Sequence, residues 1–223
     1  MNTRLGFIAS VAMFSMPALA LADAAAAPAT TLTATAPDAM CAAVADATRV
    51  AALYAAAPAP MTFQAAPQLK LSEASIASAI PVDKAMGTSG ANFVSVWDSM
   101  THWHGALFLI MKGGNVFEIS STVSPGVPST KSKFFNLGHD APVSGHLRPD
   151  LVSAIYAMQL PTREGFSRAV MFYDAKGDSV FGVVAGGEGK ELNTEQMAQF
   201  KATWDLIAGL PRACATTSSS PVK

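Results

Sequence analysis

The sequence predicts an α+β fold, in which helices come first, an antiparallel sheet follows and one helix closes the domain. Three observations indicate it. Apolar residues recur at helical spacing between residues 39 and 100, they alternate with other residues from Ala106 onward, and a capped helical pattern returns at Thr194. A chain of 223 residues is long enough for one such domain with tails at both ends.

The N-terminal part carries the pattern of a targeting segment followed by a linker. A short basic start precedes an apolar stretch, and Ala18, Ala20 and Ala22 form two overlapping small-x-small cleavage sites. We therefore expect a signal peptide over residues 1–22, export to a bacterial periplasm, and a disordered Ala/Thr/Pro-rich linker over residues 23–38. An uncleaved anchor is the alternative. No later apolar run is long enough to predict a membrane span.

The helical part of the domain is predicted from apolar spacing and capping residues. Asp38 is a good N-cap for a first helix over residues 39–56, and two prolines make residues 57–68 a hinge. Ser72 opens a second helix, which ends before a proline. A third short helix over residues 92–100 places its large apolar side chains on one face.

Two hairpins are predicted to build the sheet. The first covers residues 106–121 around a Gly-Gly-Asn turn, and the second covers residues 166–186 with its turn between two aspartates. Residues 151–160, between the hairpins, are predicted as a further strand. The closing helix runs from residue 194 to about residue 208, and Asn193 is its N-cap.

These elements predict one domain over residues 39–210 and a disordered tail over residues 211–223. The two cysteines, Cys41 and Cys214, lie near opposite ends of the mature chain. An oxidising compartment permits a disulfide between them, which stabilises by up to about 4–5 kcal/mol in the chain-entropy model. Two unpaired thiols are the alternative.

Composition and motifs exclude several classes of function. The formal net charge of −1 argues against nucleic acid as the main partner, because phosphate binding needs a clustered basic surface. The chain has no G-x-S-x-G, Walker or C-x-x-C motif. Its glycine-rich stretches lack the strand-to-helix context of a phosphate loop, so we predict turns there.

The first candidate site is the stretch "MTHWHG". On a strand, His102 and His104 would face the same side, which is the spacing of metal-binding H-x-H pairs. Met100 adds a soft ligand, which in an exported protein suggests copper. The alternative is a helix-to-strand junction with a buried Trp103 and solvated histidines.

The second candidate site is the stretch "FFNLGHDAPVSGHLRPD", which contains His139 and His146. It resembles the centre of the HutX/ChuX haem-utilisation carriers, where an aromatic-Phe-Asn-Leu pattern precedes Ser-Pro-x-x-Gly-His-Leu/Ile-Arg. "LSEASIASAIP", the tryptophan-containing junction with the first hairpin, the second hairpin and "KELNTEQMAQF" are similar to family segments in the same order. The resemblance covers roughly residues 51–208 and is most specific at "GHLR".

The resemblance implies a haem-binding carrier or store, not in itself an enzyme, built on a large curved antiparallel sheet with flanking helices and usually pairing as a homodimer. The sequence leaves the haem donor or acceptor protein open.

A haem site needs an axial ligand, apolar walls and cations near the propionates. The expected axial ligand is His146, with His139 as an additional local histidine. The expected walls are Phe134, Phe135, Met158 and Met171, and the expected cations are Arg148, Lys112 and Lys133.

The chain departs from the family pattern at several ligand and support positions. Lys112 stands where the family often has a histidine, Phe134 where a tyrosine commonly precedes Phe-Asn, and Gly187-Glu188 where Arg-Asp is usual. These losses favour an alternative in which the scaffold binds no cofactor and serves as an interaction module.

Each of the two histidines also has an alternative role that involves no ligand. His139 is otherwise a solvated loop residue, and His146 a structural residue that bonds a carbonyl group. Haem breakdown is the weaker functional alternative, because no acid–base pair is recognisable and the reaction needs an electron donor.

Overall fold

The computed structural model describes residues 39–112, 114–187 and 191–214, which all belong to one structural unit. The signal peptide and the linker expected over residues 1–38 lie outside the described residues. Within the described ranges, no helix has the length and apolar character needed to cross a membrane.

The elements follow the predicted order of helices, antiparallel strands and a closing helix, so the α+β prediction is confirmed. The helices are α1 (Val44–Leu53), α2 (Thr62–Leu69), α3 (Glu73–Ala79), α4 (Phe93–Met100) and α5 (Thr194–Gly209). The strands are β1 (Ala85–Ser89), β2 (Ala106–Lys112), β3 (Asn115–Ser121), β4 (Gly126–Pro128), β5 (Phe135–Leu137), β6 (Gly145–Leu147), β7 (Ala154–Pro161), β8 (Phe166–Tyr173) and β9 (Ser179–Ala185).

The large sheet has six strands among the described residues, in the order β1-β7-β8-β9-β2-β3, and every neighbouring pair is antiparallel. Both faces of its central strands are covered. Along β8, Val170 and Phe172 enter a core with α4, α5 and the small sheet, whereas Met171 and Tyr173 enter a second core with α1, α2 and α3. This alternation follows from the two-residue period of a strand.

A cluster of stacked and edge-to-face aromatic rings fixes α4 against the sheet. Trp97 lies within 6.4 Å, centroid to centroid, of Phe93, Phe135 and Phe172. Its indole Nε1 donates a hydrogen bond of 2.9 Å to the carbonyl oxygen of Ser124. The indole therefore satisfies its only donor while its apolar surface is buried, and it joins the large sheet to the segment that leads into β4.

The small sheet, in the order β4-β5-β6, lies outside the two predicted hairpins and was not foreseen from the sequence. Phe135 and Leu137 of β5 point into the core, so Asn136 between them points outward. In the antiparallel pairing of β5 with β6, Asn136 lies directly opposite His146. This register brings the two polar side chains together on the outer face.

The predicted hinge over residues 57–68 is wrong, because α2 occupies much of it. Pro67 lies inside this helix, which normally disfavours it. Burial of Thr62, Ala65 and Leu69 on one face offsets that cost. The first helix is also shorter than predicted: residues before Val44 are held instead by α3, where Ser78 Oγ accepts the Ala42 amide hydrogen at 2.9 Å.

The start of the predicted C-terminal tail is also corrected. Cys214 forms a disulfide with Cys41, across a sequence separation of 173 residues. Thr88 Oγ1 of β1 donates a hydrogen bond of 2.8 Å to the carbonyl oxygen of Pro211. Residues 211–214 are therefore fixed to the domain, because the two ends of the described chain meet beside β1.

Candidate functional site

His146 lies on β6 with its side chain exposed. Its Nδ1 atom is 2.7 Å from Asn136 Oδ1. An amide oxygen only accepts hydrogen bonds, so Nδ1 of the neutral ring donates and Nε2 is the unprotonated nitrogen. The imidazole is thus held in the tautomer that binds a metal through Nε2.

A small apolar cleft of about 230 Å³ adjoins His146. This volume is below the roughly 300–1,000 Å³ of typical small-molecule sites, so only part of a large planar ligand fits inside it. Exposed apolar surface continues from its rim, because the side chain of Leu151 is 56% exposed. The cleft is lined by Phe93, His146, Leu147, Arg148, Leu151, Val152, Val180 and Phe181.

Phe134 extends this apolar surface on the side of the histidine. It is 40% exposed, and its ring centroid lies 5.5 Å from that of His146 at an angle of 47°. Phenylalanine has no atom that ligates iron, so here it supplies a flat apolar contact rather than the ligand of the family pattern.

Two cations and one carboxylate flank the cleft. Arg148 donates through Nε and Nη2 to the two oxygens of Asp150, at 2.7 and 2.8 Å. Lys133 Nζ is 3.4 Å from Asp150 Oδ2. The Arg148 hydrogen bonds, assisted by Lys133, lower the pKa of Asp150 to about 2, so this carboxylate is ionised at neutral pH. The three side chains leave one net positive charge beside the apolar surface.

Three of the expected haem-wall residues are not available to a ligand. Phe135 is 1% exposed and packs edge-to-face on Phe93 and Trp97 in the core. Met158 and Met171 belong to the core on the opposite face of the sheet. The prediction of these walls is wrong because strand alternation and core packing turn the side chains away from His146.

The remaining expected residues lie around the site at different positions. His139 is exposed in the loop between β5 and β6. Lys112, at the end of β2, lines a second cavity of about 490 Å³. Val180 lines both this cavity and the cleft beside His146, so the two adjoin. Lys112 therefore borders the neighbouring cavity rather than the histidine cleft itself.

The alternative copper site has the geometry of a structural junction. Met100 is 0% exposed in the core, whereas His102 and His104 are exposed in the turn that precedes β2. His104 Nδ1 lies 3.1 Å from Glu195 Oε1. Trp103 is buried between them, and its Nε1 donates to Thr203 Oγ1 at 3.2 Å. Across the part of the chain that the structure describes, no three His, Cys, Asp or Glu side chains are grouped to hold a metal ion.

Asn136 is the site residue that the sequence did not predict. One signal for it was present in the sequence. Asn136 lies between two apolar residues, Phe135 and Leu137, and when these point into the core the two-residue period of a strand turns Asn136 outward. Identifying His146 as its partner also required the β5–β6 register, and the loop between these strands does not determine that register.

The chain is a small α+β domain with a candidate ligand site, in which an exposed imidazole lies beside an apolar cleft on the outer face of the three-stranded sheet. The family model described as "Haem utilisation ChuX/HutX" matches residues 87–203. The chain belongs to this family, as the resemblance of the sequence implied.

Individual relatives agree with this assignment. The chain is 27% identical over 156 residues to the "Intracellular heme transport protein HutX" of Vibrio cholerae, covering 69% of this chain and 80% of the relative. A crystal structure of protein AGR_C_4470 from Agrobacterium tumefaciens is 26% identical, with a TM-score of 0.61, over 73% of this chain and 90% of that one. The structure titled "Structure of the Heme Binding Protein ChuX" shares the fold, with a TM-score of 0.63 at 17% identity, over 73% of this chain and 98% of that one.

The comparisons contradict the periplasmic location expected from the N-terminal segment. The Vibrio cholerae relative is named an intracellular protein, and its match covers most of both chains. The pattern that suggested export lies in residues 1–38, outside the described ranges. That expectation depended on a short basic start, an apolar stretch and two small-x-small sites, which are a local pattern with low specificity in an alanine-rich segment.

Proposed function

We propose that this protein binds haem at the outer face of the small sheet and passes it on as a carrier. The observation that carries the proposal is the 2.7 Å contact between His146 Nδ1 and Asn136 Oδ1, which presents Nε2 to solvent as a ligand. Family membership and the name of the HutX relative support haem as the ligand and a carrier as the role.

The residues present fit a haem group. His146 would offer a nitrogen ligand to the iron, Phe134 and Leu151 would offer exposed apolar surface, and Arg148 and Lys133 would offer positive charge for the propionates. Haem, when bound, supplies an iron that takes this imidazole nitrogen as a ligand. The side chains themselves position the ring, cover one part of the porphyrin and balance its carboxylate charge.

The small volume of the cleft favours a carrier over a store. A cavity of about 230 Å³ cannot enclose a porphyrin, so much of a bound haem stays accessible. An accessible ligand is released to an acceptor without opening the fold. A homodimer, which the family resemblance implies, would add apolar cover from a second copy, and Phe117 and Val127 supply exposed apolar side chains for such a contact.

A haemin titration followed by Soret absorbance tests the proposal. We expect saturable binding to the wild-type chain and at least about tenfold weaker binding, with a changed Soret band, to His146→Ala. His102→Ala is the matched control, because it removes another exposed histidine at the α4–β2 turn, and it should behave as wild type. His139→Ala shows whether the loop histidine contributes.

If wild type and His146→Ala give the same spectra and neither shows saturable binding, the result would contradict the proposal and support the interaction-module alternative. We also propose that the protein does not degrade haem. A haem-loaded sample incubated with a reductant should keep its Soret band, and a progressive loss that His146→Ala abolishes would instead show breakdown.

A further inference from the structure

The two ends of the described chain meet at a disulfide beside β1. Cys41 is bonded to Cys214, and both residues are half-buried rather than enclosed in the core. A disulfide in such a position is open to attack by a small thiol reductant. What reduction changes depends on the other contacts of two segments, residues 39–42 and residues 211–214, and we call the second of these the C-terminal strap.

The N-terminal segment has its own contacts with α3. Ser78 Oγ accepts the Ala42 amide hydrogen at 2.9 Å. Ser72 Oγ donates a hydrogen bond to the carbonyl oxygen of Ala39. These two bonds lie on either side of Cys41, and the chain then continues into α1, which packs in the core with α2 and α3. This segment is therefore held independently of the disulfide.

Among the described residues, the C-terminal strap has few partners besides the disulfide. Thr88 Oγ1 donates a hydrogen bond of 2.8 Å to the carbonyl oxygen of Pro211. The Tyr156 hydroxyl group lies 3.8 Å from Cys214 Sγ, and sulfur is a weak acceptor. Ala213 packs its methyl group against the core beside the first three helices. The covalent bond is therefore the main restraint on the strap.

The strap passes around an edge of the large sheet. β1 is the outermost of the described strands on its side, so β7 is its one neighbour among them. Gly87 lies opposite Tyr156 in the β1–β7 pairing and shares its face, so Thr88 faces the other side. Contacts with Thr88 and with Tyr156 therefore place the strap on both faces. Under this cover Thr88 is 0% and Tyr156 is 4% exposed, and burial raises the pKa of Tyr156 to about 12.

We propose that the Cys41–Cys214 disulfide is a redox latch, whose reduction releases the C-terminal strap from the edge of β1 and leaves residues 39–42 on α3. A dithiol reductant supplies two electrons and forms its own S–S bond, while the Cys41–Cys214 bond breaks and each cysteine sulfur takes one proton. Without the strap, the edge of β1 exposes backbone groups that are able to pair with another strand. The latch is separate from the proposed haem site, since none of these residues lines the cleft beside His146.

Trypsin cleavage of the full-length chain after Arg212 tests the proposal. Arg212 is exposed, but contacts of Pro211 and Cys214 fix the chain on either side of it in the oxidised protein. Reduction, or Cys41→Ser combined with Cys214→Ser, should speed this cleavage at least about tenfold, because a protease cuts a segment that has left its place in the fold. Arg163, exposed in the β7–β8 turn, is the internal control, and its cleavage rate should change by less than about twofold.

Two spectroscopic readouts on the double serine variant need neither protease nor reductant. The pKa of Tyr156 should fall toward its ordinary value of about 10, so absorbance at 295 nm near pH 11 should rise by the equivalent of one phenolate. Tyr156→Phe in the same background should remove that rise. The Ala42 amide hydrogen, which is bonded to Ser78 Oγ, should keep its protection from exchange as measured by NMR.

Several outcomes would overturn the proposal. Equal cleavage after Arg212 in the oxidised and reduced proteins would show that the strap stays in place without the disulfide. An equal acceleration at Arg163, or the absorbance of all three tyrosines as phenolates, would show general unfolding rather than release of the strap. Lost protection of the Ala42 amide would show that both ends of the described chain leave the domain.

Discussion

Replacing Asn136 with alanine tests whether the cross-strand partner of His146 determines haem affinity. The substitution removes the acceptor 2.7 Å from Nδ1 and leaves the imidazole itself in place. Without this acceptor, the imidazole proton distributes between Nδ1 and Nε2, and the ring rotates. A smaller fraction of the molecules then presents an unprotonated Nε2. Loss of such a supporting hydrogen bond typically costs about 10–100-fold in affinity for the metal. The pair is exposed to water, so we expect about tenfold.

The assay is a haemin titration of the purified chain followed by the Soret band, with Asn136→Asp as the matched variant. Aspartate keeps an acceptor for the Nδ1 hydrogen, so it should restore the haem affinity that alanine loses. Its negative charge should also make Nε2 a stronger electron donor to the iron and shift the Soret band. An affinity and spectrum of Asn136→Ala that equal those of wild type would refute the role of Asn136. Equal losses in the alanine and aspartate variants would show that Asn136 acts only through the packing of β5.

Three further predictions follow from charge, the disulfide and burial. Asp150→Asn should tighten haemin binding a few-fold at low salt, because Arg148 loses its counter-ion, and the gain should vanish at high salt. Reduction, or replacement of Cys41 and Cys214 by serine, should lower the free energy of unfolding in urea by up to about 5 kcal/mol, and an unchanged midpoint would contradict the link. Burial raises the pKa of all three tyrosines, that of Tyr156 to about 12. Absorbance at 295 nm should therefore show little phenolate at pH 10–11, and stability should fall as pH rises from about 10 toward 12, because the unfolded chain releases those protons first.

The elements that were predicted well are those with local signals. Ser72 Oγ accepts the Ser75 amide hydrogen at 3.1 Å, and Asn193 Oδ1 accepts the Gln196 amide hydrogen at 2.9 Å. The N-caps that the sequence predicts for α3 and α5 are therefore present. The two hairpins also formed, because a turn and its flanking strands lie next to each other in the chain.

The missed elements depend on distant partners. β1 contains Gly87 and small residues, so it lacks the alternation of a strand, and it pairs with β7 far along the chain. A glycine is required there because a Cβ atom on residue 87 would lie 2.1 Å from the Tyr156 ring. No neighbouring residue in the sequence indicates that contact.

The same distinction applies to the candidate sites. The family motif indicated His146 and Arg148 as candidates, because their neighbours in the chain form a recognisable pattern. Asn136 was missed because its contact with His146 depends on strand register. Phe135 was misassigned, because it precedes the outward-facing Asn136 on β5 and therefore points into the core, on the opposite face of the small sheet from His146.

The central strands of the large sheet have no face turned to water, since helices or the small sheet cover both sides. Binding chemistry is consequently confined to the margins of the fold. Substitutions at those margins should therefore leave the packed interior undisturbed. The same division makes the outer face of the small sheet a suitable place to install new ligand sets by design.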